Sequence, residues 1–138
     1  AGCIGKSMTN YSALSIEKVL YLHDKIIVAT GGKEGTRDFT LLHSALERCK
    51  ATFAGEDLYP TLFDKASALL HSLVMNHAFL DANKRTAYQT MKRFLFTNNY
   101  RITAPQQEIV RFCISVDNDG IKGKAIVMWL KKYTEIIL

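Results

Sequence analysis

The sequence predicts an all-α protein, a helical bundle around a central pair of helices that meet at a short elbow. Three observations predict it. Apolar residues recur at helical spacing in several stretches, and no stretch shows convincing strand alternation. The two most apolar of these stretches lie on either side of a polar segment, residues 77–85, which we call the elbow. At 138 residues, 48% of them apolar, the chain has the length of one domain with its own core.

The ends of the chain and its cysteines set the expected domain and compartment. The first methionine is Met8, so residues 1–7 are interpreted as a remnant of an expression tag and residues 8–138 as a single domain. No apolar run is long enough for a membrane span, and no export signal is recognisable, which predicts a cytoplasmic protein without a membrane partner. Cys49 and Cys113 have neither disulfide nor zinc spacing and are predicted to be reduced thiols.

The net charge of +5 arises from 18 basic and 13 acidic residues. Such a charge suits nucleic acid, a nucleotide or an acidic protein partner, so it does not choose among them. The basic residues are scattered and form no continuous arm that could follow a phosphate backbone. Direct binding of nucleic acid is therefore not expected.

The first half of the chain is predicted to contain two helices and a loop. A first helix should run from Ser15, its N-cap, to about Thr30. The next segment, residues 30–38, is rich in glycine and polar residues and predicts a mobile loop or short hairpin. A second helix should run from about Thr40 to Phe53, with Asp38 or Thr40 as its cap.

The second half is predicted to contain the central pair and two further helices. The third helix should have Pro60 in its first turn and continue to Val74, with apolar groups on nearly all sides. The fourth should begin at Asn83 and stop at Asn98-Asn99. The remaining expectations are an extended stretch at residues 101–104, helices at 106–116 and 122–137, and a turn at 117–120.

Five polar or charged residues lie within nine positions at the elbow: His77, Asp81, Asn83, Lys84 and Arg85. A helix that begins near Asn83 directs its free N–H groups at the elbow, where the amide and the two cations could also bind phosphate oxygens. Asp81 offers the hard oxygen ligand that magnesium prefers, and His77 can accept a proton near neutral pH. The elbow is therefore predicted to be a phosphate-binding catalytic site.

Each of these residues alone would more often have a structural role. A single histidine at a helix end is usually a cap or a hydrogen-bonded core residue. Asp81 alone would be read as the N-cap of the following helix, and Lys84 and Arg85 as a solvated face. Their concentration between two apolar helices favours the functional interpretation, because burying polar groups there is costly.

The elbow sequence HAFLDANKRTA resembles a known family pattern. Fic-fold enzymes carry a histidine-x-phenylalanine-x-acid-small-asparagine core, and the Doc (death-on-curing) branch continues it with lysine and arginine. The resemblance extends from about Leu22 to Asn99. It implies a Fic/Doc-type helical bundle around the central helix–loop–helix.

The resemblance also implies an activity in the bacterial cytoplasm. Fic-type enzymes use magnesium and ATP to modify a hydroxyl of a target protein. By this analogy His77 would be the general base, Asp81 the metal ligand, and Asn83, Lys84 and Arg85 the phosphate-binding residues.

Two departures from the common pattern point to the Doc branch. Most Fic enzymes transfer AMP and have glycine where this chain has Lys84, and a second arginine where it has Tyr88. Similar Doc proteins bind the nucleotide in the reverse orientation and transfer its terminal phosphate to elongation factor Tu, which inhibits translation. Phosphate transfer is therefore the expected activity, and the alternatives are an adenylyl transferase or a catalytically idle binding module.

The resemblance further implies a partner and a docking surface. Doc-like toxins are restrained by a separately encoded, Phd-like antitoxin segment. The exposed flap, residues 31–37, is interpreted as a surface that docks the target, with Gly31, Gly32 and Arg37 as its candidate residues. Residues 30–35 formally match the inhibitory motif of other Fic proteins, but adjacent glycines are poor helix formers and the partner arginine is missing, so self-inhibition is not expected.

Overall fold

The computed structural model describes residues 11–118 and 120–138, so the segment interpreted as a tag lies outside the described residues. Helices dominate them, and the predicted all-α class is confirmed. In chain order the helices are α1 (Ile16–Thr30), α2 (Phe39–Arg48), α3 (Leu62–Asn76), α4 (Asn83–Thr97), α5 (Gln106–Asn118) and α6 (Gly123–Tyr133).

The first two helices begin where the sequence predicts. The Ser15 hydroxyl accepts a hydrogen bond from the Lys18 N–H at the start of α1. Of the two cap candidates for α2, the structure selects Asp38, whose carboxylate accepts from the Leu41 N–H.

The predicted end of α2 is wrong. The helix stops at Arg48, and β1 (Thr52–Phe53) then pairs antiparallel with β2 (Glu56–Asp57). The turn between these strands consists of Ala54 and Gly55, both with positive φ. Two consecutive left-handed residues favour a two-residue hairpin and cannot continue a helix.

Helix α3 is the centre of the molecule, as predicted, with nine of its 15 residues buried. It packs against α4, α2 and α6. Its start differs from the prediction, because Thr61 is the N-cap and forms a capping box with Asp64. Pro60 therefore precedes the cap and does not lie in the first turn.

The C-terminal end of the chain also differs from the prediction. Helix α6 ends at Tyr133, and Thr134–Ile136 form β4, which pairs with β3 (Tyr100–Ile102). The extended stretch predicted at residues 101–104 is observed at Tyr100–Ile102. The last helix is shorter than predicted, since it ends at Tyr133 and not at residue 137. Helical periodicity cannot reveal this change, since the strand depends on a partner about 30 residues earlier in the chain.

One apolar core joins all six helices. The cysteines predicted to be unpaired are free in the structure, with Cys49 buried and Cys113 half-buried. Among the described residues, no helix combines the length and the apolar character needed to cross a bilayer. The largest apolar side chains with almost no exposure are Leu42, Leu69, Leu70, Met91, Phe94, Leu95, Ile126 and Leu130.

Candidate active site

The elbow joins α3 to α4 through two left-handed residues. His77 ends α3 with φ 49° and ψ 52°, and Ala82 precedes α4 with φ 62°. Asn83 is the first residue of α4, as predicted. These two conformations turn the chain sharply, so that His77 is exposed near the N-terminal end of α4.

The loop inside the elbow is fixed by a buried aromatic stack and an amide clamp. Phe79 is buried, and its ring stacks on His23 of α1 with centroids 3.9 Å apart. The Asn83 side chain accepts from the Phe79 N–H at 2.9 Å and donates to the Phe79 carbonyl at 3.0 Å. The buried His23 ring also lies 3.0 Å from the Asp81 carbonyl oxygen. Asn83 therefore orders the loop, and one N–H of its amide remains for a ligand.

The flap is attached to the elbow along its backbone. Thr36 forms an isolated antiparallel bridge with Phe79, and the Leu80 N–H donates to the Gly35 carbonyl. The Arg37 guanidinium donates to the carbonyls of Asn76 and His77, which are free because α3 ends there. Arg37 thus caps the helix that carries His77.

The two flap glycines have separate structural roles. Gly31 has φ +73° and ends α1, where its N–H donates to the Ile27 carbonyl. A Cβ on Gly32 would lie 2.6 Å from the Asp81 carboxylate. A larger residue would therefore displace either the flap backbone or that carboxylate. Gly32 is therefore part of the elbow site through its lack of a side chain.

The Asp81 carboxylate is oriented by backbone donors. Its Oδ2 accepts from the Lys33 N–H at 3.1 Å and its Oδ1 from the Ala82 N–H at 2.8 Å. These two hydrogen bonds, above all the bond from Lys33, lower the pKa of Asp81 below its ordinary value. The carboxylate is therefore ionised throughout the neutral range. No side chain caps α4, so the alternative role of Asp81 as its N-cap is not observed.

A cleft of about 860 Å³ lies between the elbow and α5. One wall is polar and contains all five predicted site residues of the elbow, together with Gly32. The facing wall is largely apolar, formed by Ile109, Val110 and Ile114 of α5.

The charged residues of the cleft come from both helices. Lys84 forms an ion pair across the cleft with Asp117, at 3.2 Å, and Arg85 is exposed. The cleft thus combines a cationic wall with an apolar wall, which suits a ligand with phosphate and aromatic parts.

A second, shallower groove of about 470 Å³ also borders the elbow. It is lined by Arg37, Met75 and Phe79, and it shares His77, Leu80 and Asn83 with the cleft. His77 therefore borders both spaces. A group that enters from the groove would meet a ligand in the cleft at this histidine.

Some of the site could not be selected from the sequence. His23 contacts Asp81 from α1, and Asp117 contacts Lys84 from α5, although each lies more than 30 residues from its partner along the chain. Tyr88 is buried at the edge of the cleft, and burial raises the pKa of its phenol. Of the candidate flap residues, Gly32 lines the cleft, whereas Arg37 lines the groove.

No group of three or more His, Cys, Asp or Glu side chains in the described ranges could bind a metal ion by itself. A single ionised carboxylate beside a phosphate site is the arrangement by which proteins bind magnesium together with phosphates.

Comparison with known proteins places these observations in a family. The Fic/DOC family model matches residues 13–95, which is more than half of the chain and includes the whole elbow. Toxin Doc of Mycolicibacterium smegmatis is 48% identical over 77 residues, 56% of this chain and 59% of that protein. Protein kinase doc of Escherichia phage P1 is 33% identical over 89 residues, 64% of this chain and 70% of that protein. The match to toxin Doc thus spans about three fifths of that protein's length.

Proposed function

The chain belongs to the Fic/DOC family, and from this premise we propose that it transfers the terminal phosphate of ATP to a hydroxyl of a protein. The main support is one geometric observation. A single cleft is lined by all five predicted site residues, His77, Asp81, Asn83, Lys84 and Arg85. His77 also borders the groove from which a polypeptide can approach.

The charges of the cleft suit a triphosphate. Lys84 and Arg85 lie in the first turn of α4, where the helix dipole and free N–H groups also favour anions. The apolar side chains of α5 on the opposite wall offer a surface for an adenine ring. ATP therefore complements both walls of the cleft, its phosphates the cationic wall and its adenine ring the apolar wall.

Magnesium fits the same place. Asp81 is ionised and lies beside the cations that would bind phosphate, so it is the residue that would hold the ion. When bound, magnesium offsets the negative charge of the phosphate groups. The backbone bonds from Lys33 and Ala82 keep the Asp81 carboxylate in one orientation for this purpose.

His77 supplies the proton chemistry. Its imidazole takes the proton of the target hydroxyl as the hydroxyl oxygen forms a bond to the terminal phosphorus. The bond from that phosphorus to the bridging oxygen breaks, and ADP leaves with the electron pair. Lys84 and Arg85 stabilise the charge on the phosphate oxygens during this exchange.

The relatives' names support a biological role. One relative is named a toxin and the other a protein kinase. We propose that this chain is likewise the toxin of a toxin–antitoxin pair, restrained by a Phd-like antitoxin segment. Its target is elongation factor Tu in the bacterial cytoplasm, so that phosphorylation inhibits translation.

Incubation with terminally labelled ATP, magnesium and elongation factor Tu tests the activity. We expect label in the target, an added mass of one phosphate, and no transfer by His77→Ala or Asp81→Ala. An added mass of AMP would replace the proposal with adenylyl transfer, and no modification of any protein in a bacterial lysate would indicate an idle binding module.

The matched control is His43→Ala. His43 is an exposed histidine of α2 that lines neither the cleft nor the groove. It should transfer phosphate at the parental rate. Since His77 is also exposed, His77→Ala should unfold at nearly the parental temperature, and a large loss of stability would favour a structural role for His77.

A further inference from the structure

An ion pair crosses the proposed nucleotide cleft. The Lys84 Nζ lies 3.2 Å from the Asp117 Oδ2, and the two residues belong to the first turn of α4 and the last turn of α5. Both line the cleft. Asp117 lies beyond residues 13–95, so the family match does not include it.

The ion pair occupies Lys84, a cation that would otherwise be available to bind phosphate. An ammonium group in contact with a carboxylate has lost most of its net attraction for a second anion. The side chain of Lys84 is 46% exposed and that of Asp117 is 23% exposed, so water and ions reach the pair. Such a pair is weak enough to be broken by a ligand.

The position of Asp117 within α5 does not favour an acidic residue. A negative side chain in the last turn of a helix interacts unfavourably with the helix dipole, and Asp117 occupies this position in α5. Its ion-pair partner in the described part of the chain is Lys84. Among the described residues, the contact that favours a carboxylate at this position is thus the ion pair beside the cleft.

We propose that Asp117 competes with the nucleotide for Lys84 and thereby sets the affinity of the cleft for ATP. This inference depends on the proposed function. Asp117 is a positioning residue that acts through Lys84. In the empty cleft it neutralises the lysine, and a triphosphate must displace it before Lys84 can contact phosphate.

The test measures ATP binding by calorimetry in the presence of magnesium, and it separately measures KM and kcat for phosphate transfer. Asp117→Asn should bind ATP about threefold to fivefold more tightly, because the competing ion pair is part-exposed and of modest strength. KM should fall by a similar factor without an increase in kcat. Asp117→Glu, which restores the carboxylate, should return the affinity to near the parental value.

Glu108→Gln is the matched control. Glu108 is on the same helix, forms its own ion pair with Arg111, and does not line the cleft. It lies roughly 14 Å from Asp117 along the helix axis. Its removal changes the net charge by the same amount and should leave ATP affinity unchanged. Equal gains in both variants would show a general charge effect and overturn the inference.

Lys84→Met completes a double-mutant cycle. In that background most of the gain from Asp117→Asn should disappear. The inference is overturned if Asp117→Asn binds ATP no more tightly than the parent, or if its gain survives intact without Lys84.

The failure of the proposed function is a different outcome. It would appear as no phosphate transfer by the parent chain, or as transfer of AMP. Unchanged ATP affinity and unchanged transfer in Lys84→Met would instead overturn the inference, since the lysine would then not contact phosphate. Weaker binding in Lys84→Met together with no gain in Asp117→Asn would overturn only the role of Asp117.

Discussion

At the scale of single residues, the orientation of Asp81 depends on the absence of a side chain at Gly32. The Asp81 carboxylate receives two backbone hydrogen bonds, and one of them comes from Lys33, the residue after Gly32. A methyl group at position 32 would lie 2.6 Å from the Asp81 Oδ2. The flap thus contributes to the site through its backbone.

Gly32→Ala should therefore reduce phosphate transfer strongly, by about tenfold or more, since displacement of a catalytic group by even 1 Å can cost that much. The Gly32 backbone has an ordinary φ, so stability should fall only by the cost of relieving the contact. Steady-state rates and thermal midpoints would measure the two effects.

The control is Gly31→Ala. Gly31 has φ +73° and open space around its Cβ position, so this change should cost about 1 kcal/mol of stability through backbone strain. Transfer per folded molecule should be retained. Equal loss of transfer in both variants would indicate that the flap acts only through its overall conformation.

The candidate residues at the elbow could be selected from the sequence because polar and charged groups are concentrated in nine consecutive positions. The neighbours that orient them could not. His23 reaches the Asp81 carbonyl from α1, and as a single histidine in an apolar stretch it gives no signal beyond that of a core residue. The close approach of Gly32 to Asp81 is likewise visible only in three dimensions.

At the scale of elements, the C-terminal end of α3 is stabilised by Arg37. This arginine donates to the carbonyls of Asn76 and His77, while the Arg37 and Asp38 N–H groups both donate to the Ala78 carbonyl. Flap and elbow therefore form one hydrogen-bonded unit. Arg37 is a predicted target-docking residue, and its contacts give it a structural role within the chain as well.

Arg37→Ala should lower the free energy of unfolding by about 1 to 2 kcal/mol, the cost of losing charge-assisted bonds at an exposed site. Amide hydrogen exchange at residues 77–80 should become faster, because this segment loses its cap. Arg37→Lys keeps the charge but not the forked geometry and should be intermediate. Lost transfer with unchanged stability and exchange would instead support a role of Arg37 in target docking alone.

Helix interiors were predictable from apolar spacing, but three element boundaries were not. Pro60 precedes a capping box, and Thr52 and Phe53, predicted to end α2, belong to strand β1. The last strand, β4, exists because it pairs with β3, and the Thr103 N–H after β3 also donates to the Tyr133 carbonyl before β4. The spacing of apolar residues along the sequence identifies the buried face of a helix, whereas strand pairing depends on residues that are distant in the sequence.

At the scale of the whole molecule, the core and the site are separate. The core lies around α3 and α4, whereas His77 and Asp81 are exposed at the elbow between them. The elbow nevertheless contains two of the four non-glycine residues with positive φ in the described part of the chain, His77 and Ala82. Left-handed backbone is unfavourable for residues with a Cβ, so part of the core's stability is offset at the site.

His77→Gly is expected to separate stability from activity. Glycine adopts φ 49° without the Cβ penalty, and it is the usual residue at a left-handed helix end. The variant should therefore be more stable than the parent by about 0.5 to 1 kcal/mol, while phosphate transfer is abolished. Ala54→Gly is the matched control, since Ala54 also has a positive φ but lies in the β1–β2 turn away from the cleft. It should show a similar gain in stability with full transfer.

Denaturant unfolding measures the stability of each variant, and labelled-phosphate incorporation measures its transfer. A stabilised Ala54→Gly beside a destabilised His77→Gly would mean that the imidazole itself contributes to the fold, and the strain at the elbow could not then be assigned to function.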